Sequence, residues 1–150
     1  MKCISLWQPW ASLIAIGAKH IETRSWPTKH RGRIAIHAAK RAMDWEGAEL
    51  WKKYSGQSWF QAIVAMSPTS GIRRGEVVAV ADLYDCLPTT SIIVSDRQAE
   101  LGDFSPGRFG WFLRDIRALR EPIPCRGRQQ LFDVEIPDEA ECYPVVRWKD

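Results

Sequence analysis

The stretch LWQPWASLIAIGAKHIETR, residues 6–24, contains the transition on which the fold turns. Pro9 suits the first turn of a helix, and Trp10, Leu13, Ile14 and Gly17 recur at helical spacing. A helix is therefore expected over residues 8–17, with Gly17 as its C-terminal stop. The period then changes. Over residues 19–25, His20, Glu22 and Arg24 share one face and Ile21 and Thr23 the other, which is the alternation of a strand. Lys19 stands where helix hands over to strand, so an acid lies between two bases. Buried charges persist only when paired and hydrogen-bonded. If this face is internal, Lys19, Glu22 and Arg24 form a pocket offering an acceptor and cationic donors to a polar ring. If it is external, they are an ordinary ion pair on a solvated strand.

Further elements follow outward. Residues 3–6 read as a short strand. Trp26-Pro27 breaks the strand at 19–25, Arg31-Gly32 supplies a turn, and Arg33–Ala38 is another strand. Residues 43–54 and 57–66 have helical patterns. Glu76–Leu83 is a nearly continuous β-rich run, hence a central strand. A short helix is expected near 95–101, a strand over Phe109–Arg114 extending through 115–121, and a last strand over Gln130–Ile136. Five to six strands with helices beside them give an α+β class and a small closed or nearly closed β-barrel.

The 150 residues, 45% of them hydrophobic, suit one domain over 1–150 that buries a core without a metal or disulfide staple. No apolar run reaches the ~20 residues of a membrane span. Cysteines at 3, 86, 125 and 142 form no C-x-x-C pair, so no metal site and no cofactor are expected. The apolar stretch after Lys2 has the outline of a secretory leader, but Gln8 and Pro9 interrupt it. Reduced thiols in the cytoplasm are the simpler expectation.

Net charge is only +3, yet it is uneven. Residues 1–40 carry seven bases (Lys2, Lys19, Arg24, Lys29, Arg31, Arg33, Lys40) against one acid, Glu22; the remainder carries 14 bases and 17 acids. All three histidines, His20, His30 and His37, lie in the basic stretch, as do Trp7, Trp10 and Trp26. Basic residues interleaved with aromatic ones point to nucleic acid, because phosphates attract the cations and bases stack on indole.

The run Leu6–Leu13 resembles the opening of ASCH domains (activating-signal-cointegrator homology). So do G-x-K-x-x-E-x-R at 17–24, Trp26, Arg31-Gly32 and Ile36-His37-Ala38-x-Lys40. Glu76–Asp82, Gly110-Trp111-x-Leu113 and Pro122-Ile123-Pro124 are also similar to later parts of that family. The resemblance implies a PUA-like β-barrel with helices beside it and a ligand cleft between barrel and first helix. It implies that Lys19, Glu22 and Arg24 line the cleft, that Trp7, Gln8, Pro9 and Trp10 form its helix-side wall, and that Arg31, His37 and Lys40 border the opening.

The PUA-like superfamily is dominated by RNA binders. A branch of amidohydrolases deacylates acetylcytidine with a threonine nucleophile in G-x-K-x-x-T-x-R, activated by the lysine and assisted by a downstream glutamate. Here Glu22 stands at the threonine position, and Thr23, one residue on, faces the other way. The leading expectation is a binder of single-stranded or unpaired RNA or DNA. Phosphates would follow Lys29, Arg31, Arg33 and Lys40, and one base, unpaired or modified, would enter the cleft. The alternative is an amidohydrolase of an acylated pyrimidine nucleoside, with Lys19 and Glu22 catalytic and Glu100 a candidate assistant. Arg73-Arg74 and the exposed tryptophans are further candidate contacts, for phosphate and for protein respectively.

Overall fold

The computed structural model describes residues 1–58, 61 and 72–144. Within it the elements run β1 (Lys2–Leu6), α1 (Trp10–Ala15), β2 (Ile21–Arg24), β3 (Gly32–Ala38), α2 (Trp45–Ser55), β4 (Glu76–Pro88), α3 (Asp96–Glu100), β5 (Phe109–Pro124), β6 (Leu131–Asp133) and β7 (Cys142–Pro144). The strands form one mixed sheet in the order β2-β5-β4-β3-β1-β6, with β7 pairing the later part of β5. β1 and β3 are parallel, and the other pairings are antiparallel. The sheet curls into a half-barrel, in keeping with the α+β expectation. The helix expected at 57–66 falls largely outside the described residues.

Burial explains the curl. On the concave face Ile4, Leu6, Ile34, Ile36, Ala38, Val78, Ala81, Leu83, Trp111 and Leu113 pack against Ala11, Ile14 and Ala15 of α1. That short helix is buried along almost its whole length, so it plugs the half-barrel rather than lying on it. Leu13 on its far side, with Ile16 and Ala18 of the turn that follows, meets Tyr54 of α2 and Leu101 after α3. The convex face carries Cys3, Ala35, Val77, Val80 and Leu119, covered by Phe132, Val134 and Ile136 of the C-terminal segment. β4 and β5 supply the bend: their register shifts between Val77 and Ala79, Val80 and Asp82, and Leu83 and Asp85, and such bulges increase local twist.

The turn from α1 into β2 is built as the sequence implies. Gly17 takes φ +81°, its N–H bonds Ile14 O at 2.8 Å, and Lys19 N–H closes on Leu13 O at 3.0 Å. A side chain in this left-handed conformation is strained. Gly17→Ala is therefore expected to lower unfolding free energy by about 1–2 kcal/mol in urea denaturation; an unchanged midpoint would show that the turn relaxes without cost.

Candidate functional site

α1 closes most of the half-barrel, and the space left beside its start is a cleft of ≈ 1680 Å³. Lys19, Glu22 and Arg24 line it, with Trp7, Trp10 and Trp26, so the residues at 19, 22 and 24 converge inside rather than point into bulk water. Glu22 reaches the concave side because it pairs across β2–β5 with Trp111, whose ring is in the core. Trp111 in turn holds Trp26 edge-on at 4.7 Å between centroids and donates its indole N–H to Trp26 O at 3.3 Å.

Lys19 is 1% exposed, and its ammonium has three donors. They go to Ile21 O at 2.8 Å, Leu101 O at 2.5 Å and Glu22 Oε2 at 3.2 Å. Burial pushes its pKa below the usual lysine range, and the Glu22 carboxylate pulls it back up. With every N–H committed, Lys19 holds Glu22 in place and has no donor left for a base carbonyl or an oxyanion. The segment that supplies Leu101 O is itself fastened along β2. Gln98, buried on α3, donates its side-chain amide to Ala18 O at 2.8 Å and accepts His20 N–H at 3.1 Å, and Asp103 N–H donates to Thr23 Oγ1 at 3.1 Å. Thr23 is thereby engaged with the loop after α3.

Arg24 lies 3.8 Å from Glu22 Oε1, an ion-pair distance beyond hydrogen bonding, and its guanidinium sits 5.7 Å from the centre of the Trp26 ring. Trp7 is half exposed at the rim, with the Arg41 guanidinium 3.7 Å over its ring. Glu100 reaches the cleft wall, but Tyr54 O–H donates to one of its oxygens at 2.5 Å and Lys53 to the other at 2.9 Å. Those two bonds hold its pKa below the usual carboxylate range. Burial, and then the bond to Glu100, pushes the Tyr54 hydroxyl up to about 12.

The other residues singled out by sequence are placed differently. Gln8 and Pro9 do not line the cleft. Gln8 is 1% exposed: its amide donates to Ser12 Oγ at 2.8 Å and Arg73 O at 2.6 Å and accepts Ser12 N–H at 3.0 Å, so it caps α1 from within. Pro9 packs under Gly47 at the start of α2. Lys29, Arg31 and Arg33 also lie off the cleft lining. Arg31 pairs with Asp85 at 3.6 Å, and Arg33 belongs to a separate depression with Asp82 and Arg117. Of the four expected phosphate contacts only Lys40 borders the cleft, joined there by Arg74, Arg126 and Arg128. Arg126 and Arg128 are not legible as rim residues in the sequence because they sit in the acidic majority of the chain; Arg126-Gly127-Arg128, following Pro124, is their only local signal.

His37 also lines the cleft, with one ring nitrogen 2.9 Å from Ser5 Oγ and the other 2.9 Å from Cys125 O. A carbonyl accepts only, so Nε2 carries the proton in neutral His37 and Nδ1 accepts from Ser5. Gly127 lies flat over the pair: a Cβ there would stand 2.7 Å from His37 Cε1 and 2.9 Å from Ser5 Oγ. His37 thus fastens the loop carrying Arg126 and Arg128 to β1 and β3.

A model of the ASCH domain matches residues 4–136. The chain belongs to the ASCH domain family. Activating signal cointegrator 1 of Mus musculus and of Homo sapiens are each 30% identical to it over 134 residues, covering 89% of this chain and 22% of theirs. The chain therefore spans under a quarter of the curated relatives it matches. The crystal structure of ASCH from Zymomonas mobilis superposes with a TM-score of 0.52 at 16% identity, over 89% of this chain and 87% of that one. A serine-to-alanine mutant of that protein gives 0.51 at 19%, with the same coverage. At those identities the likeness concerns the fold. In this ASCH domain the G-x-K-x-x-E-x-R motif is a helix-to-strand turn whose lysine is consumed internally, leaving Glu22 and Arg24 as the groups facing the cleft.

Burial lowers the pKa of His37 from 6.5, partly offset by the Cys125 carbonyl. Below 6.5 the unfolded chain binds a proton that folded His37 still refuses, so its stabilising contribution is complete above that pH and is lost as pH falls through the lower folded value. Urea titrations from pH 7.5 down to pH 5 should show the wild-type midpoint falling more steeply than that of His37→Gln, by the uptake of at most about one proton. Parallel curves would mean that His37 is hydrated and unperturbed.

Proposed function

We propose that the cleft binds single-stranded or unpaired nucleic acid, with the backbone along its basic rim and one base inside against indole. The observation carrying this reading is that Lys40, Arg74, Arg126 and Arg128 border one cleft with Trp7, Trp10 and Trp26. Among the described residues, none of these four cations has a side-chain hydrogen bond or ion pair. Cations kept unpaired beside aromatic rings fit a polyanion with stacking bases. Arg108, by contrast, is occupied by Asp103 and by Thr23 O.

This reading treats 1–150 as one unit acting in a reducing, cytoplasmic setting. Among the described residues no helix is long and apolar enough to cross a membrane. The amidohydrolase alternative has no comparable support. Glu22 provides no hydroxyl nucleophile, Lys19 has no donor to spare for an oxyanion, and Glu100 is held against Tyr54 and Lys53, each of its oxygens already accepting one hydrogen bond.

Binding of a single-stranded oligonucleotide should weaken with salt at a log–log slope of about −2.8 if four phosphates are held. Arg126→Ala/Arg128→Ala should flatten that slope by about 1.4, while Arg33→Ala leaves it unchanged. Fluorescence anisotropy over a salt series reads both. Salt-independent binding, or a slope that responds to Arg33 instead, would overturn this placement of the backbone.

A further inference from the structure

We infer that the base admitted to the cleft is guanine, read on its Watson–Crick edge by Glu22 and Arg24; this rests on the nucleic-acid reading above. The floor of the cleft limits which base edge can be satisfied there. A carboxylate has about four acceptor sites and no donor. Lys19 takes one on Oε2, and Arg24 stands 3.8 Å from Oε1, so both oxygens retain acceptor capacity. The Arg24 guanidinium makes no hydrogen bond among the described residues, so its N–H groups are available beside that carboxylate. Lys19 contributes none, its three donors being spent on Ile21 O, Leu101 O and Glu22. The floor therefore presents two adjacent acceptors flanked by one donor group.

Among the four bases only guanine has the complement: two neighbouring donors, N1–H and the N2 amine, followed by the O6 acceptor. Adenine and cytosine each have one amine beside an unprotonated ring nitrogen, whose lone pair would face the carboxylate. Uracil has a single N–H between two carbonyls. Two N–H groups on the two Glu22 oxygens and O6 on Arg24 satisfy every polar atom of guanine's edge. A wrong base leaves a buried acceptor unpaired or opposes it to another, and it is such unpaired groups that make polar sites selective. Trp10 and Trp26 line the same cleft and offer indole surface to a purine.

The test uses fluorescently labelled oligouridylates carrying one central guanine, adenine, cytosine or inosine, with the all-uridine strand as baseline, measured by anisotropy at low salt. Guanine should bind about tenfold more tightly than adenine, cytosine or uracil, in line with a good bidentate contact. Inosine keeps N1–H and O6 but lacks the amine, so it should fall between guanine and the others. Glu22→Gln, which replaces one acceptor with a donor, should remove most of the guanine preference. Should that variant fail to fold, the inosine comparison still decides with the wild-type chain. Equal affinity for all five strands, or preference for another base, overturns the guanine assignment and leaves nucleic-acid binding standing. Absence of binding to every strand removes both.

Discussion

A buried ammonium must find acceptors, and most of this molecule's functional geometry follows from how Lys19 finds them. Its three partners are the backbone at the start of β2, the backbone just after α3 and the side chain of Glu22. A single side chain thus joins the strand edge, the distal helix and the cleft floor. The low dielectric around such a group makes unpaired alternatives costly. The carboxylate of Glu22 is thereby held by Lys19, and its remaining acceptor capacity is directed at the cleft.

The second constraint is geometric. A half-barrel with an apolar concave face needs a plug, and α1 is too short to fill it from end to end. The unfilled end becomes the cleft, and the chain lines it with polar groups whose positions are fixed in pairs: Gln98 on the backbone of Ala18 and His20, His37 on Ser5 and Cys125, Trp111 on Trp26. Side chains on the wall are spent on structure, while several at the rim are left uncommitted. That division is what a binding surface requires, since groups held rigid lose less entropy when a ligand arrives.

Local patterns in the sequence carry the parts of this architecture that depend on local physics. Gly17 as a helix stop, the alternation through Glu22 and Arg24, and the unbroken run of β4 are legible because backbone conformation and periodicity are properties of neighbours. β5 reads from sequence as a strand over 109–114 with an extension; it is one strand of 16 residues, and Asp115, at φ +46°, marks the place where the pattern falters. β7 escapes a sequence reading because three residues ending in proline carry no strand signal of their own. The basic rim is legible only in part, since charge counted along the chain cannot see that the loop after β5 folds back beside Lys40. Gln8 and Pro9 have the motif position of cleft wall, but a buried amide beside a helix start is drawn to the unsatisfied backbone there.

A double-mutant cycle between Lys19 and Glu22, measured as unfolding free energy for wild type, Lys19→Met, Glu22→Leu and the double variant, tests the central interaction most directly. If the buried ammonium clamps the carboxylate, each single change strands a charge and the two effects are strongly non-additive, with a coupling of about 1–3 kcal/mol. Costs that simply add would contradict the account, because they would mean that solvent, and not Lys19, holds Glu22 at the floor of the cleft.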